Sequence, residues 1–168
     1  MLCLMIFIHV TSLLTKHHVW RGTRGLQTSL ATALSLPVRY QPDRTHSCPA
    51  AHHVNPSCGD EVTLGVKLDG EKVASINWEG VGCSISQAST SIMSDLLTGK
   101  SLKEATAISE EFLQLMQSKG SIEGNPDVLE DAVALSGVSK YPARIKCALL
   151  GWMAFKDASV QAHSKEEK

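Results

Sequence analysis

The chain reads as an α+β domain: a small antiparallel sheet of about three strands, followed by helices packed on one of its faces. Two observations predict this. Between Glu61 and Trp78 apolar residues recur at every second position, and from Ile85 onward they recur at helical spacing. The alternating stretch precedes every helical one, which is the order of an α+β fold and not of a βαβ repeat. A composition of 43% apolar and 20% charged residues fits one globular domain.

Each element has its own signal. In Glu61–Leu68, Val62, Leu64, Val66 and Leu68 face one way and Thr63 and Lys67 the other, a half-buried strand. Asp69-Gly70 is a hairpin turn. Lys72–Trp78 returns with Ala74, Ile76 and Trp78 on one face, and Glu79–Gly82 permits a sharp turn or a short third strand. Ile85, Ala88, Ile92, Met93, Leu96 and Leu97 then form a helical stripe behind Ser84 as N-cap, ended by Gly99. Ser101 and Glu104 make a capping box for a second helix, whose inner face is Leu102, Ala105, Ile108, Phe112, Leu115 and Met116, with Gly120 as its stop. Ser121–Asp127 is a polar loop. Val128–Leu135 reads as a short helix broken by Gly137. The last helix is capped by Ser139, with Pro142 in its first turn and Ile145, Leu149, Trp152 and Phe155 buried.

The two ends differ from this centre. Residues 1–51 carry one acid, Asp43, against Lys16, Arg21, Arg24, Arg39 and Arg44, and show no period. Met1–Val10 is apolar but too short to span a bilayer, and no basic residue precedes it as in a secretory signal. The expected organisation is therefore an atypical leader over 1–51, either a disordered or targeting segment or a misplaced start. A domain over 52–158 and a charged, fraying tail over 159–168 follow. The net charge of −1 excludes a general nucleic-acid binder. Five widely spaced cysteines do not make a disulfide framework, and they point to a reducing, cytoplasmic setting. Cys3 and Cys48 lie in the leader and are read as bystanders.

The chemistry sits at three thiols and one carboxylate. Cys58 and Asp60 share the turn Asn55-Pro56-Ser57-Cys58-Gly59-Asp60, Cys83 lies where sheet gives way to helix, and Cys147 lies near the start of the last helix. All are places where secondary structure begins, so the four can converge at one end of the sheet as a tetrahedral metal set. Thiolates favour zinc or an iron–sulfur cluster, and the carboxylate is the hard member of the set. The spacing is no zinc-finger pattern, and three inert buried cysteines are the alternative. His52 and His53 are alternative ligands or exposed loop residues. Arg144, one helical turn before Cys147, is expected to pair with Asp60 or a thiolate. Lys146 either steadies the thiolates or lies on a solvated face.

Asn-Pro-x-Cys-Gly-Asp, Gly-x-Gly-Cys-Ser-Ile-Ser-x-Ala and Pro-Ala-Arg-x-Lys-Cys-Ala-Leu-Leu-Gly-Trp, in that order, resemble the SufU branch of the IscU/NifU N-terminal superfamily of iron–sulfur assembly proteins. The resemblance runs from about His52 to about Ala158. Lys146 stands where scaffold members of that superfamily carry a histidine, and residues 1–51 lack the family's Tyr-rich opening helix. The resemblance implies zinc held by Cys58, Asp60, Cys83 and Cys147, and a PLP-dependent cysteine desulfurase of the SufS type as partner. Its persulfide sulfur would pass to Cys58, released from the metal as a desulfurase histidine takes its place, and then to a downstream iron–sulfur assembly complex. Neither nucleic acid nor membrane is implied. Three functions stay open at this point: a zinc-dependent sulfurtransferase, a scaffold that builds an iron–sulfur cluster on the same ligands, and a zinc-stabilised fold with no transfer role.

Overall fold

The structure is a computed structural model that describes residues 49–166. Expectations for residues 1–48, with Cys3 and Cys48, lie outside the described residues. Three strands, β1 (Ala50–Asn55), β2 (Asp60–Asp69) and β3 (Lys72–Val81), pair antiparallel in the order β1-β2-β3. Val62, Leu64, Val66 and Leu68 point to the core, as their alternation predicts, while Glu61 and Lys67 face out. Among the described residues the helices pack on the inner face, in keeping with the α+β expectation.

β1 is the strand that alternation does not reveal, and it begins two residues ahead of the expected boundary at His52. Its inward positions are Ala51, His53 and Asn55, and its outward ones Ala50, His52 and Val54, so neither face carries an apolar run. Its partners define it instead. It registers Ala50↔Gly65 through Asn55↔Asp60 with β2, and His53 Nε2 meets Asp157 Oδ2 at 2.9 Å. β3 is longer than expected and runs straight through Gly80, where an added Cβ would stand 2.5 Å from the Glu61 carbonyl oxygen. A bulge at Lys67/Leu68 shifts the phase of β3, so Val73 is buried and Ala74 is exposed, the reverse of strict alternation.

Helix α1 (Ser84–Leu97) buries the predicted stripe, with Ile85 at its edge, but its N-cap is Cys83, and Ser84 is its first residue. Helix α2 (Leu102–Gln117) opens with the predicted capping box: Ser101 Oγ accepts from Glu104 N at 3.2 Å and Ser101 N donates to the Glu104 carboxylate at 3.0 Å. A single-turn helix, α3 (Pro126–Leu129), leads into a 3-10 segment over Glu130–Lys140 that continues through Gly137. The buried residues Leu129, Ala132 and Leu135 recur every third position, the period of a 3-10 helix and not of the α-helix expected over Val128–Leu135.

Helix α4 (Pro142–Glu166) crosses β1 and β2 on one side and α1 on the other. It therefore buries two stripes, Cys147, Leu150, Ala154, Ala158 and Ala162 beside Ala148, Trp152 and Phe155. Residues expected as a fraying tail continue this helix to Glu166. Trp152 stacks on Phe112 at a centroid distance of 4.2 Å and donates its indole N–H to Ser89 Oγ at 3.0 Å. Ser89 in turn donates to the Ala148 carbonyl at 2.6 Å, fastening α1 to α4 inside the core.

Candidate metal centre

At one end of the sheet the β1–β2 hairpin folds around Asn55. The Asn55 carbonyl accepts from Gly59 N at 2.9 Å and Cys58 N at 3.3 Å, and its Oδ1 accepts from Ser57 N at 3.1 Å. Gly59 closes the turn at φ +73°, a conformation open to glycine. The turn leaves Cys58 exposed and returns the chain so that Asp60, the first residue of β2, points inward and is 2% exposed. Asp60 Oδ1 accepts the backbone N–H of Cys83 at 2.9 Å. Oδ2 is the one buried side-chain oxygen or nitrogen among the described residues that lacks a hydrogen-bond partner.

Cys83 sits at the N-cap of α1, where its carbonyl accepts from Gln87 N at 3.1 Å and Ser86 Oγ at 2.9 Å. Gly82 precedes it for a steric reason. A Cβ there would lie 2.5 Å from Ser86 Oγ and 2.9 Å from the Asp60 carboxylate. Cys147, on the second turn of α4, is buried at 1% exposure, and its Sγ lies 3.3 Å from Cys58 Sγ as a free thiol. Asn55 Nδ2 donates to that same Cys147 sulfur at 3.6 Å.

The ligand atoms of Cys58, Asp60 and Cys147 all lie within 4.8 Å of one another. Cys83 borders this group: its thiol acts on both Asp60 and Cys147, yet at least one of its separations exceeds that distance. Burial pushes the Asp60 carboxyl up, but the nearby thiol of Cys58, the hydrogen bond from the Cys83 backbone N–H, and the nearby thiols of Cys147 and Cys83 outweigh it and hold the group below the usual range. Burial pushes the Cys147 thiol far up, reinforced by its contact with Cys58 and by the neighbouring Asp60 and Cys83. An ionised carboxylate with a free oxygen, aimed among three thiols, fits a thiophilic cation that takes the place of the thiol protons.

The other sequence-predicted candidates fall elsewhere. His52 Nδ1 meets Thr63 Oγ1 at 3.0 Å on the outer face and His53 meets Asp157, so neither imidazole joins the thiol group. Arg144 and Lys146 are exposed, and neither forms an ion pair with Asp60. Sequence reasoning missed Asn55 and Gly82 as site residues. The signals were present: an Asn ahead of Pro-x-Cys, and a Gly directly before a cysteine at a strand-to-helix junction.

The sequence profile of NifU-like N-terminal domains matches residues 40–148. The zinc-dependent sulfurtransferase SufU of Bacillus subtilis is 48% identical over 102 residues, covering 61% of this chain and 68% of that protein. The iron–sulfur cluster assembly scaffold protein IscU of Streptococcus pyogenes is 44% identical over 106 residues, covering 62% of this chain and 64% of that protein. Among solved structures, a putative iron–sulfur cluster assembly scaffold protein for the SUF system from Fervidobacterium islandicum superposes with a TM-score of 0.67 at 32% identity, over 76% of this chain and 91% of that one.

Proposed function

The chain belongs to the NifU-like N-terminal domain family, and from that premise we propose that it is an iron–sulfur cluster assembly protein working as a zinc-dependent sulfurtransferase. In this reading its sulfur comes from a PLP-dependent cysteine desulfurase of the SufS type and passes on to a downstream iron–sulfur assembly complex. The observation that carries the reading is an exposed thiol, Cys58, on a turn whose sulfur lies 3.3 Å from the buried Cys147 and groups with Asp60. The relative named as a zinc-dependent sulfurtransferase supports it. Free thiols and a reducing cytoplasm go together, and no helix of the described residues is long and apolar enough to cross a membrane.

Cys58, Asp60, Cys83 and Cys147 would hold the zinc. When bound, the metal supplies positive charge that keeps coordinated thiols deprotonated. Cys58 is the nucleophile, because its turn can move without unpacking a strand or helix, whereas Cys83 caps α1 and Cys147 is set in α4. Its sulfur lone pair bonds to the outer sulfur of the desulfurase persulfide. The S–S bond there breaks, and its electron pair leaves on the desulfurase thiolate. Asp60 is the hard donor among soft ones, the ligand that eases exchange. Arg144, exposed in the first turn of α4, would meet an anionic group of the partner in this reading.

The test is a single turnover with a cysteine desulfurase, with trapping by an alkylating label and mapping by mass spectrometry. The persulfide is expected on Cys58, and Cys58→Ser abolishes it. First-turnover sulfur on Cys83 or Cys147, with Cys58 unmodified, overturns the mechanism. The similarity to a scaffold protein favours a second reading, in which the same four residues carry iron and a growing cluster. Protein purified without added metal separates the two: stoichiometric zinc and no colour support transfer, while a brown, iron-containing sample supports the scaffold.

A further inference from the structure

We infer that Asn55 is a positioning residue that anchors the Cys147 sulfur while holding the Cys58 turn, and so determines which of the two thiols stays with the metal and which one leaves. The inference rests on the metal reading of the site proposed above. The two sulfurs are only 3.3 Å apart, so proximity alone does not distinguish them. What distinguishes them is what else holds each one. Asn55 closes β1 opposite Asp60 and is 4% exposed. Its Nδ2 donates to Cys147 Sγ at 3.6 Å, while its Oδ1 and its carbonyl accept the backbone N–H groups of Ser57, Cys58 and Gly59. Asn55 thus holds Cys147 by its sulfur, and Cys58 only by its backbone.

An N–H donor on a coordinating thiolate orients the sulfur and stabilises its charge, the role outer partners play around metal ligands. Cys147 has few alternatives. Its thiol hydrogen can reach the Ala143 carbonyl at 3.9 Å, but as a thiolate it only accepts, and the Asn55 amide is the donor directed at it. Asn is suited to the position because one short side chain offers both an acceptor for the turn and a donor for the sulfur. Serine in its place retains an acceptor for the Ser57 N–H but is too short to reach Cys147. Aspartate retains the acceptor and turns a second one, with a negative charge, toward the sulfurs.

The test uses the full chain with cobalt as the metal probe, read by chelator competition and by the sulfur-to-cobalt charge-transfer absorption. Asn55→Ser is expected to weaken cobalt binding by about tenfold or more and to move the charge-transfer band to lower energy. The same change in a Cys58→Ser background keeps its full effect, and in a Cys147→Ser background it adds nothing, because the bond it removes ends on Cys147. An unshifted band, or an equal loss of affinity with and without Cys147, overturns the inference, since a residue that only holds the turn would behave that way. Should Asn55→Ser fail to fold, the unsubstituted chain loaded with NMR-active cadmium gives the answer. A coupling between the Asn55 side-chain amide protons and cadmium, carried through the Cys147 sulfur, is expected, and its absence overturns the proposal. An unsubstituted chain that binds no cobalt overturns the metal reading and this inference with it. Bound cobalt with an unshifted variant overturns this inference alone.

Discussion

Two titrating groups at the thiol end of the sheet end up shifted in opposite directions, although burial pushes both of them up. Asp60 sits below the usual carboxylate range because the neighbouring thiols and the Cys83 N–H outweigh its desolvation, so it stabilises the metal-free fold above the unfolded carboxylate pKa. That stability is lost as pH falls through the lowered folded value. Cys147 is raised, so its contribution is present below the unfolded thiol pKa and is lost as pH rises through the folded value. A cation must displace the Cys147 proton but finds Asp60 already ionised. Metal affinity is therefore expected to climb with pH through the neutral range, with proton release on binding, measured by titration calorimetry in buffers of different ionisation enthalpy. Cys147→Ser should reduce the release by about one proton; an unchanged count would remove Cys147 from the ligand set. Gly82→Ala probes the other wall. Its Cβ would meet Ser86 Oγ and the Asp60 carboxylate, so Asp60 must shift away from the Cys83 N–H. We expect weakened metal binding together with a loss of about 1–3 kcal/mol in stability, read by chelator competition and denaturant unfolding. Full retention of both would show that Asp60 has room to move.

At the scale of elements, the helices were legible because each pairs a stripe with a boundary signal. Ile92, Met93, Leu96 and Leu97 on α1, and the Ser101–Glu104 box ahead of α2, are local features that packing preserved. Elements defined by their partners were not legible. β1 offers the core only Ala51, His53 and Asn55, and it exists because β2 supplies a ladder and Asp157 supplies a contact. The 3-10 segment hid behind an apolar spacing of three that a short helix also tolerates. The bulge that exchanges Val73 for Ala74 is a pairing property with no single-strand signature. The candidate site divides in the same way: its thiols and carboxylate were legible as residue types, but Asn55 acts through contacts 92 positions away in the chain. The polar tie between helices gives a prediction at this scale. Ser89→Ala leaves the Trp152 indole N–H buried without an acceptor, at an expected cost of about 1–3 kcal/mol. A denaturant midpoint equal to the unsubstituted chain's would show that the tie contributes nothing net.

For the whole molecule, folding and assembly of the candidate metal centre are one event. Cys58 and Asp60 come from the β1–β2 turn and the start of β2, Cys83 from the β3–α1 junction and Cys147 from α4, so the unfolded chain holds no comparable site. A ligand bound only by the folded state stabilises it by mass action, about 2.7 kcal/mol at a free concentration one hundred times Kd. For a domain of this size each kcal/mol moves the melting temperature by about 3–5 °C, so zinc at that excess should raise it by about 10 °C. The shift should vanish in Cys147→Ser, where the buried anchor is gone, and shrink without vanishing in Asp60→Ala, where water can take the fourth position. It should also survive removal of residues 1–48. Every proposed ligand residue lies after Pro49, and the chain joins the sheet there, through the Pro49 carbonyl that accepts from Val66 N at 3.4 Å. Calorimetric melts of the full chain and of a chain beginning at Pro49, each with and without zinc, decide the matter. Equal zinc-induced shifts place the whole metal centre in the folded domain. A shift confined to the full chain would mean that the first 48 residues contribute to it, and the four-residue ligand set would have to be revised.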